Sequence, residues 1–301
     1  MGNPFSPRNV ATYSGRGLHR VSRGPKRARA CKAGRAEMAF GAAVVCLMIL
    51  FALVGPLVVG GDPYAMNADA RLTAPCAEYP MGTDDFGRDL LVRIMYGAQT
   101  SLAVGFSTAA LSALLGLVVG VYASMSKTLD HVLMRICDGL AAIPGILLAI
   151  ALMAVLGAAW QNVVVALVIV YTPSTARIVR SRALALKGQA YIEALRVQGA
   201  SLARIVWLHI VPNVISPLLV QATTVFAEAI LSEATLSFLG LGINPPQASW
   251  GGILQSGKTL IDQAWWMIAE PGACIIASAL GLVFLGDGLR DALDPHSKDG
   301  E

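Results

Sequence analysis

The sequence predicts an all-α polytopic membrane protein with six transmembrane helices. Hydrophobic residues make up 55% of its 301 residues and charged residues only 14%, against about 25% charged residues in an average soluble domain. The charges are also concentrated between long uncharged stretches, whereas a soluble protein of this length would interleave them along every surface element. Composition and charge distribution together exclude a soluble globular fold.

Six runs are apolar enough to cross a bilayer. The first reaches ~33 Å at ~1.5 Å per residue, which spans a hydrocarbon core of ~30 Å. In the second, Gly116 and Gly120 have the small-xxx-small spacing of a helix-packing face. Pro144 and Pro173 interrupt the third and fourth, and the sixth is expected to start earlier, near the aromatic pair at 265–266. The runs are residues 39–60, 100–125, 139–159, 162–176, 213–235 and 271–286.

Lysines and arginines are unevenly distributed between the segments that join these runs. With the N-terminus inside, 19 of the 23 basic residues lie in inner segments, so the positive-inside rule predicts that both termini are cytoplasmic. Residues 1–36 hold many of them and no acid, which favours a disordered tail that sets topology or binds anionic lipid. A cleaved signal peptide is disfavoured because this basic region is too long, so we expect the first run to remain as an anchor.

The polar segment at residues 191–217, between the fourth and fifth runs, predicts a short helix, a break at Gly199 and a second helix. Glu193 is the only acid among several basic residues, and the helix dipole favours an acid in a first turn. Gly199 permits a close turn that a Cβ atom would crowd. The segment either docks in a partner's groove or packs on the inner face of its own bundle. Its apolar anchors would be Leu195, Val197, Leu202 and Ile205.

The same segment resembles a known family. Glu193 and Ala194, then Gly199, then His209 and Pro212 follow the spacing of the "EAA" coupling loop of bacterial ABC importer permeases. A histidine at position 209 resembles the dipeptide, oligopeptide and nickel branch of that family. The chain departs from the family loop at Leu195, His209 and Val211.

Three further segments, residues 80–89, 230–251 and 286–295, are similar to motifs that flank the membrane core in this family and occur in the same order. The resemblance covers roughly residues 80–296 and implies a type I ABC importer fold, with a five-helix core and an N-terminal anchor helix. The expected division begins with a basic cytoplasmic tail at residues 1–36, followed by a first transmembrane helix with an external lateral segment at residues 37–98. The permease core covers residues 99–290 and contains the coupling loop at residues 181–212, and residues 291–301 form a cytoplasmic C-terminal tail.

The resemblance implies a permease subunit of an ATP-driven importer in the bacterial cytoplasmic (inner) membrane. The substrate would be a di- or oligopeptide, with a nickel chelate or a glutathione-like compound as the alternative. The implied partners are a second homologous permease subunit, two cytoplasmic ATP-binding subunits and an extracytoplasmic substrate-binding protein. The chain itself would hold no cofactor, since ATP binds to the partner subunits. The residues expected to contact an ATPase are Glu193, Ala194, Gly199, His209 and Pro212.

Two acids, Glu228 and Glu233, lie in the fifth run and are candidates for the substrate pathway. An ionisable side chain at membrane depth costs ~2.5–3.5 kcal/mol and usually faces a bundle interior or a cavity. At helical rise, Glu228 lies ~22 Å from the start of the run and Glu233 ~30 Å. We therefore expect Glu233 at the outer interface in a solvated or helix-end position. Glu228 is deeper, as a buried pair or as a pathway carboxylate that attracts cationic groups.

Residues 252–259 match the phosphate-binding P-loop pattern G-x-x-x-x-G-K-[ST]. A working P-loop needs a preceding strand and a following helix, but Pro245 and Pro246 prevent residues 244–250 from forming a core strand. The predicted topology also places the match outside, where ATP is scarce. We therefore expect an ordered external loop and no nucleotide site.

A self-sufficient membrane enzyme or channel is the competing function class. A hydrolase would need a nucleophile with a base, or paired carboxylates, inside the spans, yet the predicted spans contain no histidine or lysine. The five cysteines and four histidines show no metal-ligand spacing. We therefore expect no catalytic residue, no metal and no nucleic-acid partner. The hydroxyls considered are Ser107, Ser112, Thr223 and Thr224.

Overall fold

The computed structural model describes residues 26–293, with side chains from residue 36 onward. Most of the predicted basic tail and the last residues of the C-terminal tail lie outside this range. Regular structure within it is helical, apart from one antiparallel bridge between Thr83 and Asp89. The helices are α1 (Lys26–Leu53), α2 (Gly55–Val59), α3 (Leu90–Met125), α4 (Lys127–Ala141), α5 (Gly145–Leu156), α6 (Trp160–Lys187), α7 (Ala190–Val197), α8 (Leu202–Ile205), α9 (Val211–Phe238), α10 (Trp250–Gly257) and α11 (Trp266–Leu293), with a 3-10 turn at Ala68–Ala70 and a π-helical turn at Val206–Ile210.

Within the described range, five helical segments are long and apolar enough to cross a membrane. They are α1, α3, α6, the continuous segment from α8 to α9, and α11. A sixth crossing is present if α4 and α5, which meet at an angle of 90°, count as one broken span. The predicted all-α membrane fold is confirmed, and α11 begins at Trp266, as expected from the aromatic pair.

The third predicted span, residues 139–159, is not a continuous helix. α4 ends at Ala141, and α5 has only 12 residues, or ~18 Å, which is shorter than the hydrocarbon core. Pro144 has no amide hydrogen to donate and disfavours helical geometry at Ile143, so the chain breaks there. Residues 126–138 lie between the second and third predicted runs and were expected to be an inner connecting segment. Most of this stretch forms α4, and its two aspartates pair with arginines of α6.

α3 is the central helix, packed against α6 and α9, while α1 packs along α11. A Cβ atom at Gly116 would lie 2.6 Å from the Thr175 Cγ2 atom of α6, and one at Gly120 would lie 2.6 Å from the Ala176 carbonyl oxygen. Any larger side chain would force the two helices apart. The predicted packing face of α3 is therefore confirmed.

Different short elements lie at the two ends of the helix bundle. We call the end that carries α7 and α8 the inner end, and the end that carries residues 60–89 and α10 the outer end. At the inner end, Lys187 Nζ donates to the Ser124 carbonyl oxygen at 2.9 Å, and Arg180 Nη2 donates to Asp130 Oδ2 at 2.6 Å. These contacts fasten the α3–α4 junction to the last turns of α6, directly before α7.

Candidate functional site

The inner segment, residues 190–212, is held to the bundle by three isoleucines. Ile192 of α7, Ile205 of α8 and Ile210 of the π-helical turn are each no more than 1% exposed. They pack in one cluster with Val179 of α6 and Val214 of α9. The inner segment therefore packs against two membrane-spanning helices, α6 and α9, and a displacement of the segment would displace both helices.

Gly199 forms the turn of the inner segment, as the sequence predicts. Its φ is +81°, its amide donates to the Arg196 carbonyl oxygen, and the Ala200 amide donates to the Leu195 carbonyl oxygen, both at 3.0 Å. A Cβ atom at Gly199 would meet nothing within 4 Å, so the expected crowding is wrong. Glycine is needed for its left-handed φ, and the space beside it is open.

The residues expected to meet an ATPase lie along this segment. Glu193, Ala194 and Pro212 are exposed, and Glu193 is in the first turn of α7. His209 is half-buried, with its ring centre 6.4 Å from that of Tyr191. The polar and small side chains of the predicted loop therefore face away from the bundle.

Large apolar side chains are exposed beside them, with Val197 at 90% and Leu202 at 65%. Ile205 was expected to be a further anchor for a partner, but it is buried in the chain's own bundle. Three further exposed residues were not predicted, although their large apolar side chains within an otherwise charged loop were an available signal. These are Tyr191, Trp207 and Leu208.

The two glutamates of α9 have opposite environments. Glu233 is fully buried, and its carboxylate accepts hydrogen bonds from Ser101 Oγ and Ser237 Oγ, each at 2.8 Å. The expected solvated position at a helix end is therefore wrong, because residues 239–257 fold back over the outer end of α9 and enclose this side chain. Glu228, the residue expected to lie deeper, is exposed.

Glu228 belongs to a polar stripe on one exposed face of α9 and α6. Glu228 shares this face of α9 with Thr224 and Ser232. Tyr171 of α6 joins the two helices, since its hydroxyl lies 2.8 Å from Ser232 Oγ and donates to the Glu228 carbonyl oxygen at 3.2 Å. We use the name polar stripe for Gln221, Thr224, Glu228 and Ser232 of α9 together with Tyr171, Ser174 and Arg177 of α6.

At the outer end, buried charges form what we call the outer clasp, namely Asp84, Arg88 and Arg93. Asp84 Oδ1 accepts from the Arg88 amide at 3.0 Å, and Asp84 Oδ2 accepts from Arg88 Nε at 2.6 Å and lies 3.3 Å from Arg93 Nε. Arg93 Nη1 also donates to the Pro63 carbonyl oxygen at 3.0 Å. The motif at residues 80–89 thus fastens the external segment to the start of α3. Burial raises the pKa of the neighbouring Asp85 carboxyl above its ordinary value.

The P-loop pattern at residues 252–259 does not have P-loop geometry. No strand precedes it in the described chain, and residues 252–257 lie inside α10. The Lys258 amide donates to the Leu254 carbonyl oxygen, so backbone amides that would have to cradle phosphate are used in helical hydrogen bonds.

Three of the four hydroxyls considered as nucleophiles have a defined environment in the described chain. Thr223 and Thr224 both donate to the Val220 carbonyl oxygen, and Ser112 is buried on α3. Within the part of the chain that the structure describes, no three His, Cys, Asp or Glu side chains are grouped to hold a metal ion.

Comparison with known proteins identifies the same architecture. Residues 112–299 match the family described as the binding-protein-dependent transport system inner membrane component. A putative peptide transport system permease protein of Brucella suis biovar 1 is 47% identical over 264 residues, which cover 88% of this chain and 89% of that protein.

Two further relatives have more specific names. The dipeptide transport system permease protein DppC of Alkalihalophilus pseudofirmus is 43% identical over 262 residues, covering 86% of this chain and 85% of that protein. The di/tripeptide transport system permease protein DppC of Pseudomonas aeruginosa is 40% identical over 269 residues, covering 87% and 89%.

Among solved structures, a chain of the MetNI methionine ABC transporter in an inward-facing conformation aligns with a TM-score of 0.57 at 21% identity. The alignment covers 67% of this chain and 96% of the MetNI chain. At this identity the likeness speaks for the fold alone, and it agrees with the predicted type I importer architecture.

Proposed function

Because this chain belongs to the binding-protein-dependent transport system inner membrane components, a family of transport permeases, we propose that it is one transmembrane subunit of an ATP-driven importer of di- or oligopeptides. The peptide class rests on the names of relatives that are 40–47% identical over most of both chains. The partners in this proposal are a second permease subunit, two ATP-binding subunits and an extracytoplasmic substrate-binding protein.

The observation that carries the proposal is the inner segment, which is anchored on one side and open on the other. Ile192 and Ile210 seat it on the bundle, while Glu193 and Ala194 are exposed next to the open space at Gly199. An ATP-binding subunit would pack its groove around α7, in the helix-in-groove mode. Rigid-body motion of that subunit would then reach α6 and α9 through the isoleucines.

This proposal is tested by assembling the chain with a second permease, ATP-binding subunits and a substrate-binding protein from the same organism, and measuring ATP-dependent uptake of alanyl-alanine into proteoliposomes. The unsubstituted chain should co-purify with the ATP-binding subunits and a second permease and should support uptake. Gly199→Asp should insert normally and lose both recruitment and uptake, because it places a charged side chain in the open space where the ATP-binding subunit would dock. Normal uptake by Gly199→Asp would exclude the coupling role of this turn.

The polar stripe supports a pathway through the membrane part of the bundle. A carboxylate facing lipid at membrane depth is costly, so the exposed Glu228 requires water or a second subunit against this face. Glu233 is enclosed within the chain and is accessible to neither bulk water nor a second subunit. We therefore assign the pathway role to Glu228 alone. Its charge would attract the amino group of a peptide.

Glu228→Gln should leave the thermal midpoint unchanged, because the side chain is exposed, and should lower uptake of alanyl-alanine about tenfold, since a charge-assisted contact is lost. Glu233→Gln is the matched variant. It should lower the thermal midpoint, because an amide cannot accept from both serines at its two ends. Equal uptake by Glu228→Gln and the parent would remove Glu228 from the pathway.

The orientation proposed is inner end in the cytoplasm. In a chain with its cysteines replaced, a cysteine at Gln247 or Asp262, both exposed at the outer end, should react with an impermeant maleimide from outside. A cysteine at Gln198 should react only after the membrane is permeabilised. The opposite labelling pattern would reverse the topology and contradict the placement of the ATP-binding partners.

A further inference from the structure

Two arginines of α6 pair with aspartates of α4, and the two pairs differ in kind. Arg180 and Asp130 form a two-point contact through Nε and Nη2, and their side chains are 32% and 28% exposed. Arg177 donates through Nη2 to Asp138 Oδ1 at 3.1 Å and to the Cys137 carbonyl oxygen at 3.5 Å, and the side chains of the pair are 45% and 60% exposed. The first pair is held through two guanidinium nitrogens, whereas the second engages Nη2 only.

Arg177 lies on the same surface as Glu228. Ser174 and Arg177 are exposed one and two turns beyond Tyr171, whose hydroxyl bridges to the Glu228 carbonyl oxygen and to Ser232. At helical rise, Arg177 is ~9 Å nearer the inner end than Tyr171. The polar stripe therefore carries an acid first and a base further inward.

Arg177 directly follows the apolar run at residues 162–176, so it lies at the inner edge of the membrane part of α6. Asp138 and the Cys137 carbonyl oxygen occupy only the Nη2 side of its guanidinium, and the side chain remains 45% exposed. The remaining edge presents parallel N–H groups, which match a carboxylate in the two-point geometry that arginine favours. The single hydrogen bond to Asp138 is also the kind of exposed pair that contributes little to stability and exchanges easily.

Asp138 lies just before the break between α4 and α5. α4 continues for one turn beyond it and ends at Ala141, and the chain then turns by 90° into α5. Asp130, by contrast, is in the first turn of α4, beside the fastened α3–α4 junction. Release of Asp138 would therefore loosen the bent end of α4 while the Arg180 pair keeps the other end fixed.

We infer that Arg177 is a carboxylate-binding position of the transport pathway, and that Asp138 is the internal counter-charge that occupies it when no solute is present. The inference rests on the proposed function, because it needs the polar stripe to be the pathway. A solute that carries an amino group and a carboxylate would meet Glu228 near one end and Arg177 near the other. Arg177 would then determine specificity for solutes with a free carboxylate.

The test is a charge-rescue experiment in the assembled transporter with alanyl-alanine as the probe. In a chain whose native cysteines are replaced, Arg177→Cys should reduce uptake about tenfold, the loss expected for one hydrogen-bonded charge. Modification with 2-(trimethylammonium)ethyl methanethiosulfonate restores a cation and should recover part of the uptake. Modification with 2-sulfonatoethyl methanethiosulfonate adds an anion and should reduce uptake further.

Arg182→Cys is the matched control, because Arg182 is an exposed arginine of the same helix outside the polar stripe. Its modification with either reagent should leave uptake unchanged. Asp138→Asn distinguishes a role of Arg177 in solute binding from a structural role of the Arg177–Asp138 pair. If the solute replaces Asp138, this variant keeps its uptake, whereas loss of uptake to the level of Arg177→Cys would show that the pair is structural and would overturn the inference.

The outcomes distinguish this inference from the function on which it rests. If the unsubstituted transporter takes up alanyl-alanine and both reagents affect Arg177→Cys equally, the inference fails and the proposed function stands. If the unsubstituted transporter does not take up alanyl-alanine, the peptide assignment fails. The inference is then decided by whether the thiol introduced in Arg177→Cys reacts with the sulfonate reagent in the inserted protein, since absence of reaction excludes a position in an aqueous pathway.

Discussion

The outer clasp and the inner segment both contain motif residues of the same family, but they use those residues in opposite ways. Asp84, Arg88 and Arg93 of the clasp are buried and bonded to one another. In the inner segment, Glu193 is exposed, and the space beside Gly199 is open. The comparison indicates that a charged motif buried within its own chain holds the fold together, whereas one that faces outward is available to a partner.

The largest effect is expected in the clasp. Asp84→Ala leaves Arg88 and Arg93 buried without their shared counter-charge, and breaking a buried pair in this way costs about 3–5 kcal/mol. The thermal midpoint of the purified protein should fall sharply, and expression should fall with it. Asp69→Ala, at an exposed aspartate of the same external segment, is the control and should change neither. A stable Asp84→Ala protein would mean that the clasp is not a structural element.

Two glycines sharpen the comparison, since both have a positive φ, +71° at Gly87 and +81° at Gly199. A Cβ atom at Gly87 would lie 1.8 Å from the Asn67 carbonyl oxygen, whereas one at Gly199 would meet nothing. Gly87→Ala should therefore lower the free energy of unfolding by more than about 2 kcal/mol, and Gly199→Ala by about 1 kcal/mol from backbone strain alone. Thermal unfolding of the two variants side by side measures this difference. Equal losses would indicate that the inner turn is packed against the bundle.

Asp85, which neighbours the clasp, offers a smaller effect on stability with the opposite sign. Burial raises the pKa of its carboxyl in the folded protein, so the stability linked to this group is present below its unfolded pKa of about 4 and is lost as pH rises through the folded pKa. At neutral pH the ionised Asp85 is therefore unfavourable. Asp85→Asn should raise the thermal midpoint slightly at pH 7, by less than about 1 kcal/mol in free energy. The gain should shrink toward pH 4, and a loss of stability at pH 7 would contradict this assignment.

The smallest effect on stability is expected at Glu193. Glu193→Lys changes an exposed side chain and should alter the free energy of unfolding by less than about 0.5 kcal/mol. Recruitment of the ATP-binding subunits to membranes should nevertheless fall, because the charge at the proposed docking surface is reversed. Glu78→Lys, at an exposed glutamate of the outer end, makes the same charge change and should leave recruitment intact. If both variants recruit normally, the inner segment is not the docking surface.

Several features follow from local chemistry and were predicted from the sequence. Long apolar runs with few or no charges predicted membrane-spanning helices because burying ionised groups in lipid is unfavourable. Gly116 and Gly120 predicted a close helix contact, and Gly199 predicted the turn of the inner segment. The P-loop pattern at residues 252–259 was rejected because of the residues around it, and residues 252–257 lie within α10.

The predictions from the sequence failed where the outcome depended on residues distant in the chain. α4 was not predicted because residues 126–138 were expected to be an inner connecting segment, whereas Arg177 and Arg180 of α6 pair with its two aspartates. Ile205 was expected to face a partner because spacing along a short helix does not show which side meets α6 and α9.

The two glutamates of α9 show where local sequence information ends. Their positions along the helix follow from the sequence, since each residue rises ~1.5 Å, and membrane depth alone predicted a solvated Glu233 and a deeper Glu228. Only the tertiary structure shows that residues 239–257 fold back and supply the covering that buries Glu233, with Ser101 of α3 as a hydrogen-bond donor. Burial of a charge is decided by what packs against it, and the packing partners of Glu233 come from helices more than a hundred residues apart in the chain.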